Sequence, residues 1–216
     1  MKAYGGWQFP DEETHLLAQL ARWHHVIDGR LTYQYPIYAT ALTQCGARRG
    51  TAVDVGAHVG LWSFWMARDF AQVIAFEPVA AHRQCWVANM PPRPHDVLYP
   101  VALGAEAGSV ALVTARPSST GGTVIDGAGA IPLRTLDSFA LDRVDLLKID
   151  CEGTEGDVLR GAVATLTRCR PVVAVEQRPK LLNRLTAAPR AALDLLESLG
   201  AAVVWTDAHD FVLRFG

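Results

Sequence analysis

Apolar positions along this chain fall into short continuous runs separated by longer stretches in which they recur at helical spacing. From Thr51 onward the runs Ala52–Val55, Val73–Glu77, Val97–Ala102, Asp145–Asp150 and Val172–Glu176 predict strands buried on both faces. Between them the spacing predicts helices over Leu61–Phe70, Val79–Met90 and Glu155–Arg168, and a later one over Ala187–Leu199 that Gly200 would terminate. Strands alternating with helices imply a mostly parallel sheet covered on both sides.

Both ends depart from this alternation. Asp11, followed by two acidic residues, suits a helix N-terminus, and Leu16, Leu17, Leu20, Trp23 and Ile27 carry an apolar stripe toward Asp28-Gly29. A second helix is predicted from Pro36, whose fixed φ fits a first turn, through Ala41, Leu42 and Cys45. Residues 1–50 therefore read as an N-terminal helical cap and residues 51–216 as one compact domain. At the other end, so few residues separate Ala201–Thr206 from Phe211–Phe215 that the two can form only an antiparallel hairpin. Five parallel strands closed by such a hairpin give an α/β, Rossmann-like, seven-stranded sheet, the plan of class I methyltransferases. The segment Gly108–Leu136, punctuated by Gly121-Gly122 and Gly127–Gly129, reads as an insertion over one end of that sheet.

Composition narrows the function classes. The 216 residues are 50% hydrophobic and 19% charged, yet no apolar run approaches the ~20 residues of a membrane-spanning helix. The N-terminus reaches Asp11 without the apolar core of a secretory signal, so a cytoplasmic protein is expected. Lys and Arg total 20 against 22 for Asp and Glu, and neither sign forms a block, so no footprint for nucleic acid is seen. Cys45, Cys85, Cys151 and Cys169 are too scattered for a zinc site or a disulfide framework.

The candidate chemistry begins at Asp54-Val55-Gly56-Ala57-His58-Val59-Gly60, directly before a predicted helix. Glycines there let the backbone turn tightly, and the helix start offers N–H groups to a ligand at the strand's carboxyl end. The spacing is not the Gly-x-Gly-x-x-Gly of dinucleotide sites. Glu77, in Phe76-Glu77-Pro78, stands where a carboxylate can accept from both hydroxyls of a ribose. Tight packing and a solvated strand end are the competing accounts of these two pieces.

These segments, together with Ala102-Leu103-Gly104, Leu136-Asp137-Ser138 and the run from Lys148 to Ala162, resemble the FkbM family of S-adenosylmethionine-dependent methyltransferases. The resemblance covers residues 51–178. It implies S-adenosylmethionine as methyl donor and a hydroxyl of a sugar or natural product as acceptor. It also implies that Asp54, Gly56 and Gly60 surround the methionine portion, that Glu77 with Pro78 holds the ribose, and that Ala102 and Leu103 flank the adenine. His58, which the resemblance also places at the cofactor, stands where many members have Asn.

The carboxyl end of the fourth strand would face the methyl group, and it supplies Lys148, Asp150, Glu152 and Glu155. Asp150 is expected beside cofactor or acceptor, Glu152 as general base, and Lys148 paired with a carboxylate. The competing account pairs Lys148 with Glu155 to fix the turn. His24 and His25, Glu176-Gln177-Arg178, Thr123, and the aromatics Trp7, Phe9, Tyr33, Tyr35 and Tyr38 are further candidates for the acceptor side. No spacing demands a metal. The expected partner is a small-molecule or carbohydrate acceptor, neither nucleic acid nor membrane. A nitrogen or nucleobase acceptor, or a non-catalytic cofactor-binding module, are the alternatives.

Overall fold

The computed structural model describes residues 1–23, 25–114, 116–177, 190–207 and 209–216. Residues 1–50 hold two hairpins as well as the two helices: β1 (Lys2–Tyr4) with β2 (Trp7–Phe9), α1 (His15–Trp23), β3 (His25–Ile27) with β4 (Arg30–Thr32), and α2 (Tyr35–Cys45). Asp28 and Gly29 were expected to end the first helix but instead turn the β3–β4 hairpin. Their φ values of 49° and 77° are those of a tight two-residue connection, for which Asp-Gly is well suited. Ile27 is therefore a strand residue, and α1 starts four residues after Asp11.

The alternation from Thr51 appears as β5 (Thr51–Val55), α3 (Leu61–Asp69), β6 (Gln72–Phe76), α4 (Ala80–Asn89) and β7 (Val97–Tyr99). After β8 (Ala102–Leu103) the insertion contributes β9 (Gly108–Val110), β10 (Leu112–Thr114), β11 (Thr123–Ile125) and β12 (Ile131–Arg134). The chain returns through β13 (Leu146–Ile149), α5 (Glu155–Arg160), α6 (Val163–Cys169), β14 (Val172–Glu176), α7 (Ala191–Ser198), β15 (Ala201–Asp207) and β16 (Asp210–Phe215). The main sheet has the order β15-β16-β14-β13-β5-β6-β7, parallel from β14 to β7 and antiparallel at β16 and β15. This is the class I methyltransferase plan that the hairpin argument gave. The part of the predicted final helix at 187–189 lies outside the described residues.

Two predicted elements are divided. Val97–Ala102 breaks at Pro100, which has no N–H for a ladder, so β7 stays on the main sheet while β8 pairs with β12 in a small sheet with β9. Glu155–Arg168 breaks into α5 and α6 at Gly161, where a Cβ would lie 2.1 Å from the Gly104 carbonyl oxygen. Asp137 closes that junction, its carboxylate accepting from the Ala164 and Thr165 N–H groups at 2.9 and 2.8 Å.

Side chains alternate cleanly across the sheet. Ala52, Val73, Ala75, Leu146, Val172 and Ala174 face one core, shared with α3, α4 and the cap residues Trp7, Phe9, Leu20 and Tyr38. Val53, Val55, Ile74, Leu147, Ile149 and Val173 face the other, under α5, α6 and α7. Period-two alternation with both faces apolar is what continuous Val/Ile/Leu runs require. Among the described residues no helix is long and apolar enough to cross a membrane.

Candidate functional site

The site grows from the carboxyl ends of β5, β6 and β13. Gly56 follows β5 with φ 73°, and a Cβ on it would lie 1.9 Å from the Asp150 carbonyl oxygen, so only glycine lets the two strand ends approach this closely. Parallel register places Lys148 beside Asp54 on one face of the sheet, and the Nζ–Oδ1 distance is 3.1 Å. Lys148 also donates to the carbonyl oxygen of Gly56 at 2.8 Å, while Ser63 donates to Asp54 Oδ2 at 2.6 Å. Burial disfavours the Lys148 ammonium, but Asp54 and Asp150 outweigh it and raise its pKa. The pair is thus a buried charged strut that holds the glycine loop in place.

Lys148 has the carboxylate partner expected of it; that partner is Asp54, which replaces Glu155 of the competing account and is fully buried beneath the loop. Gly60 caps α3 with φ 93°, packed against Trp86. Among the described residues the lining of the two cavities below includes neither Asp54 nor Gly60.

Glu77 sits just past β6 and is 4% exposed. Its Oε1 accepts from the Val79 N–H at 2.8 Å and lies 3.2 Å from His82 Nδ1; its Oε2 accepts from the His58 N–H at 2.8 Å. One carboxylate is therefore held from three sides and oriented. It opens on a cavity that Pro78, Ala102 and Leu103 also line, with Thr123 on the insertion side. A second space lies under the cap and is lined by Tyr33, Gln34, Lys148 and Glu176. The two share Gly56, His58, Gly121, Asp150 and Glu152 as a common wall.

That wall carries the acidic turn. Glu152 has φ 53°, a left-handed conformation unfavourable for a residue with a side chain, and Gly153 follows at 108°. Glu155, 1% exposed, stabilises the turn by accepting from the N–H groups of Cys151 and Gly153 at 3.0 and 2.9 Å. Burial pushes its carboxyl pKa up, against these N–H groups. The turn-fixing role fits Glu155; its partners are backbone groups in place of Lys148. Asp150, Glu152 and Glu176 each bring one carboxylate oxygen within 4.8 Å of the others, a grouping that spacing along the chain did not show because Glu176 comes from β14.

The remaining candidates separate. Trp7, Phe9 and Tyr38 are buried in the core, and Tyr35 packs on Trp65. His25 is exposed on the β3–β4 hairpin, Gln177 is buried just past β14, and His24 and Arg178 lie outside the described residues. Sequence reasoning missed His82, Glu13 and Thr120. His82 follows Glu77 by five residues on the next helix, but Glu13 and Thr120 meet only through the packing of cap on insertion.

The family model of the methyltransferase FkbM domain matches residues 54–203. The chain belongs to the FkbM methyltransferase family. A curated relative, "Methyltransferase 1" of Beauveria bassiana (strain ARSEF 2860), is 29% identical over a match covering 50% of this chain and 57% of that protein. This FkbM-family chain thus spans little more than half the length of the curated relative it matches. Methyltransferase FkbM from Methylobacillus flagellatus KT has a TM-score of 0.51 at 19% identity, covering 94% of this chain and 52% of that one. An rRNA methylase from Streptococcus thermophilus gives 0.50 at 11% identity, covering 86% and 98%. At such identities these structures share the fold with the FkbM-family chain.

Proposed function

We propose that this FkbM-family chain is an S-adenosylmethionine-dependent O-methyltransferase acting on a hydroxyl of a sugar or small natural product. The observation that carries this reading is the common wall: the cavity holding Glu77 and the polar space under the cap meet at Gly56, His58, Asp150 and Glu152.

The residues present fit the cofactor. A carboxylate anchored as Glu77 is can accept from both hydroxyls of a ribose, and Ala102 and Leu103 offer an apolar wall to an adenine. The backbone of Gly56 suits the methionine portion. When bound, S-adenosylmethionine supplies an electrophilic methyl group on a positively charged sulfur. The protein's part is to hold an acceptor oxygen close to that position and to take its proton.

Glu152 is proposed as the base and Asp150 as the group that orients acceptor or cofactor. Tyr33, Gln34 and Glu176 add donors and acceptors to the second space, a mixture that matches a polyhydroxylated molecule. Lys148 acts from behind by fixing the Gly56 carbonyl. The test is transfer of a labelled methyl group from S-adenosylmethionine into fractionated sugars, nucleotide sugars, small natural products and nucleic acid. Label in a hydroxyl compound is expected, whereas label in nucleic acid alone would overturn the acceptor assignment. Glu152→Gln is expected to lower turnover by roughly 10²–10⁴-fold with cofactor binding intact; full turnover would remove Glu152 from its role.

A further inference from the structure

We infer that Glu13 and Thr120 fix the His58 imidazole as its Nε2–H tautomer and so present Nδ1 as a hydrogen-bond acceptor at the wall between the two cavities. The identity of what it accepts from rests on the methyltransferase reading; the tautomer does not.

Glu13 is fully buried just before α1, although the residues around it in sequence are exposed or polar. Its Oε1 accepts from the Leu16 N–H at 2.7 Å, and its Oε2 accepts from both the N–H and the hydroxyl of Thr120, each at 2.7 Å. A threonine hydroxyl has one proton. With that proton given to Glu13, the remaining contact of Thr120 Oγ1, at 3.0 Å from His58 Nε2, requires the nitrogen to be the donor. Burial, with His82 and Lys148 nearby, pushes the His58 pKa well below its ordinary value, so the ring is neutral and carries a single proton. That proton is on Nε2, and Nδ1 keeps its lone pair.

Everything around the ring is fixed as well. The His58 N–H is bound to Glu77, its φ of 49° sets the direction of the side chain, and its ring packs edge-on against His82 with centroids 4.2 Å apart. On the far side, the Ser118 carbonyl accepts from the N–H groups of Thr14 and His15 at 2.9 Å each, which docks the insertion on the start of α1. The chain Glu13–Thr120–His58 thus exists only while cap and insertion lie together over the loop. Glu13 and Thr120 are positioning residues that act through His58. The opposite tautomer would present an N–H to the cavities and repel a donor.

The ligand chemistry is an N–H or O–H donor, supplied either by the ammonium or hydroxyls of the cofactor or by the acceptor's hydroxyl. The test begins with ¹H–¹⁵N correlation of the histidine side chains in the intact chain. Wild type is expected to show His58 protonated on Nε2 alone; Thr120→Val to show a mixture of tautomers; and Thr120→Ser to restore the wild-type pattern. An Nδ1–H or doubly protonated His58 in the wild type, or an unchanged tautomer in Thr120→Val, would overturn the inference. Calorimetry and kinetics then separate the two donors. A loss of about 10- to 100-fold in S-adenosylmethionine affinity in Thr120→Val assigns the cofactor, and a rise of that size in the acceptor's KM with cofactor affinity kept assigns the acceptor. Wild-type parameters for both ligands in that variant would contradict the positioning role. Absence of methyl transfer with the tautomer in place would count against the functional reading alone.

Discussion

The two cavities are built by different means. The wall around Glu77 and the loop beneath it come from strand ends of one parallel sheet, where register fixes what lies beside what: Gly56 against Asp150 in the wall, and Lys148 opposite Asp54 behind the loop. The space under the cap comes from pieces far apart in sequence, Glu13 before α1, which is bonded to Thr120 of the insertion, and Glu176 at the end of β14. The first is set by backbone geometry and one buried ion pair; the second depends on hydrogen bonds between segments that need not have met. Cofactor binding should therefore respond to sheet substitutions, and acceptor use to substitutions in the cap and the insertion.

The largest effect is expected at Lys148. Its removal as Lys148→Met leaves the Asp54 carboxylate uncompensated where neither side chain is more than 7% exposed. Breaking a buried pair from one side costs about 3–5 kcal/mol, readable in urea unfolding. A loss within experimental error would mean that the strut does not hold the loop. Next is Gly56→Ala, where a positive φ and the Asp150 carbonyl both oppose a side chain; about 3 kcal/mol of stability should be lost and cofactor binding with it. Glu77→Ala should leave stability closer to wild type but weaken cofactor binding by about 100-fold, the scale of two charge-assisted hydrogen bonds.

Smaller and differently placed is the acid response of Asp145, which ties the end of the cap to the sheet. It accepts from the Gly50 N–H at 2.7 Å, Arg143 Nε at 2.7 Å and Arg48 Nε at 3.0 Å. Burial raises its pKa, but the two arginines and the Gly50 N–H outweigh it and leave it lowered. The folded state thus binds the proton less readily than the unfolded chain does. The stabilisation is present above the unfolded value near about 4 and is lost as pH falls through the folded one. Urea titrations across pH 3–6 should show this loss in wild type and a flatter profile in Asp145→Asn; identical profiles would remove Asp145 from the account.

The difference between the regions also explains what the chain disclosed beforehand. Strand runs, the antiparallel hairpin, the glycine loop and Glu77 are local patterns, and each has a physical requirement that a few adjacent residues satisfy. The position of Lys148 near the end of a strand run marks it as close to the chemistry, but its partner depends on strand register, which spacing alone does not give. Asp28-Gly29 has the pattern of a helix end because Ile27 continues the apolar stripe of α1, although the same dipeptide suits a hairpin turn. Glu13, exposed by every sequence criterion, is buried because the insertion folds over it. The cap and the insertion are where tertiary packing, in place of local pattern, sets the chemistry.

Calorimetric titration of the chain with S-adenosylmethionine, in wild type and in Glu77→Ala, tests the cofactor wall directly. One site is expected in wild type, weakened about 100-fold in the variant, with no comparable binding of a nicotinamide dinucleotide. Wild type that does not bind S-adenosylmethionine, or a Glu77→Ala variant that binds it equally well, would contradict the assignment of this cavity.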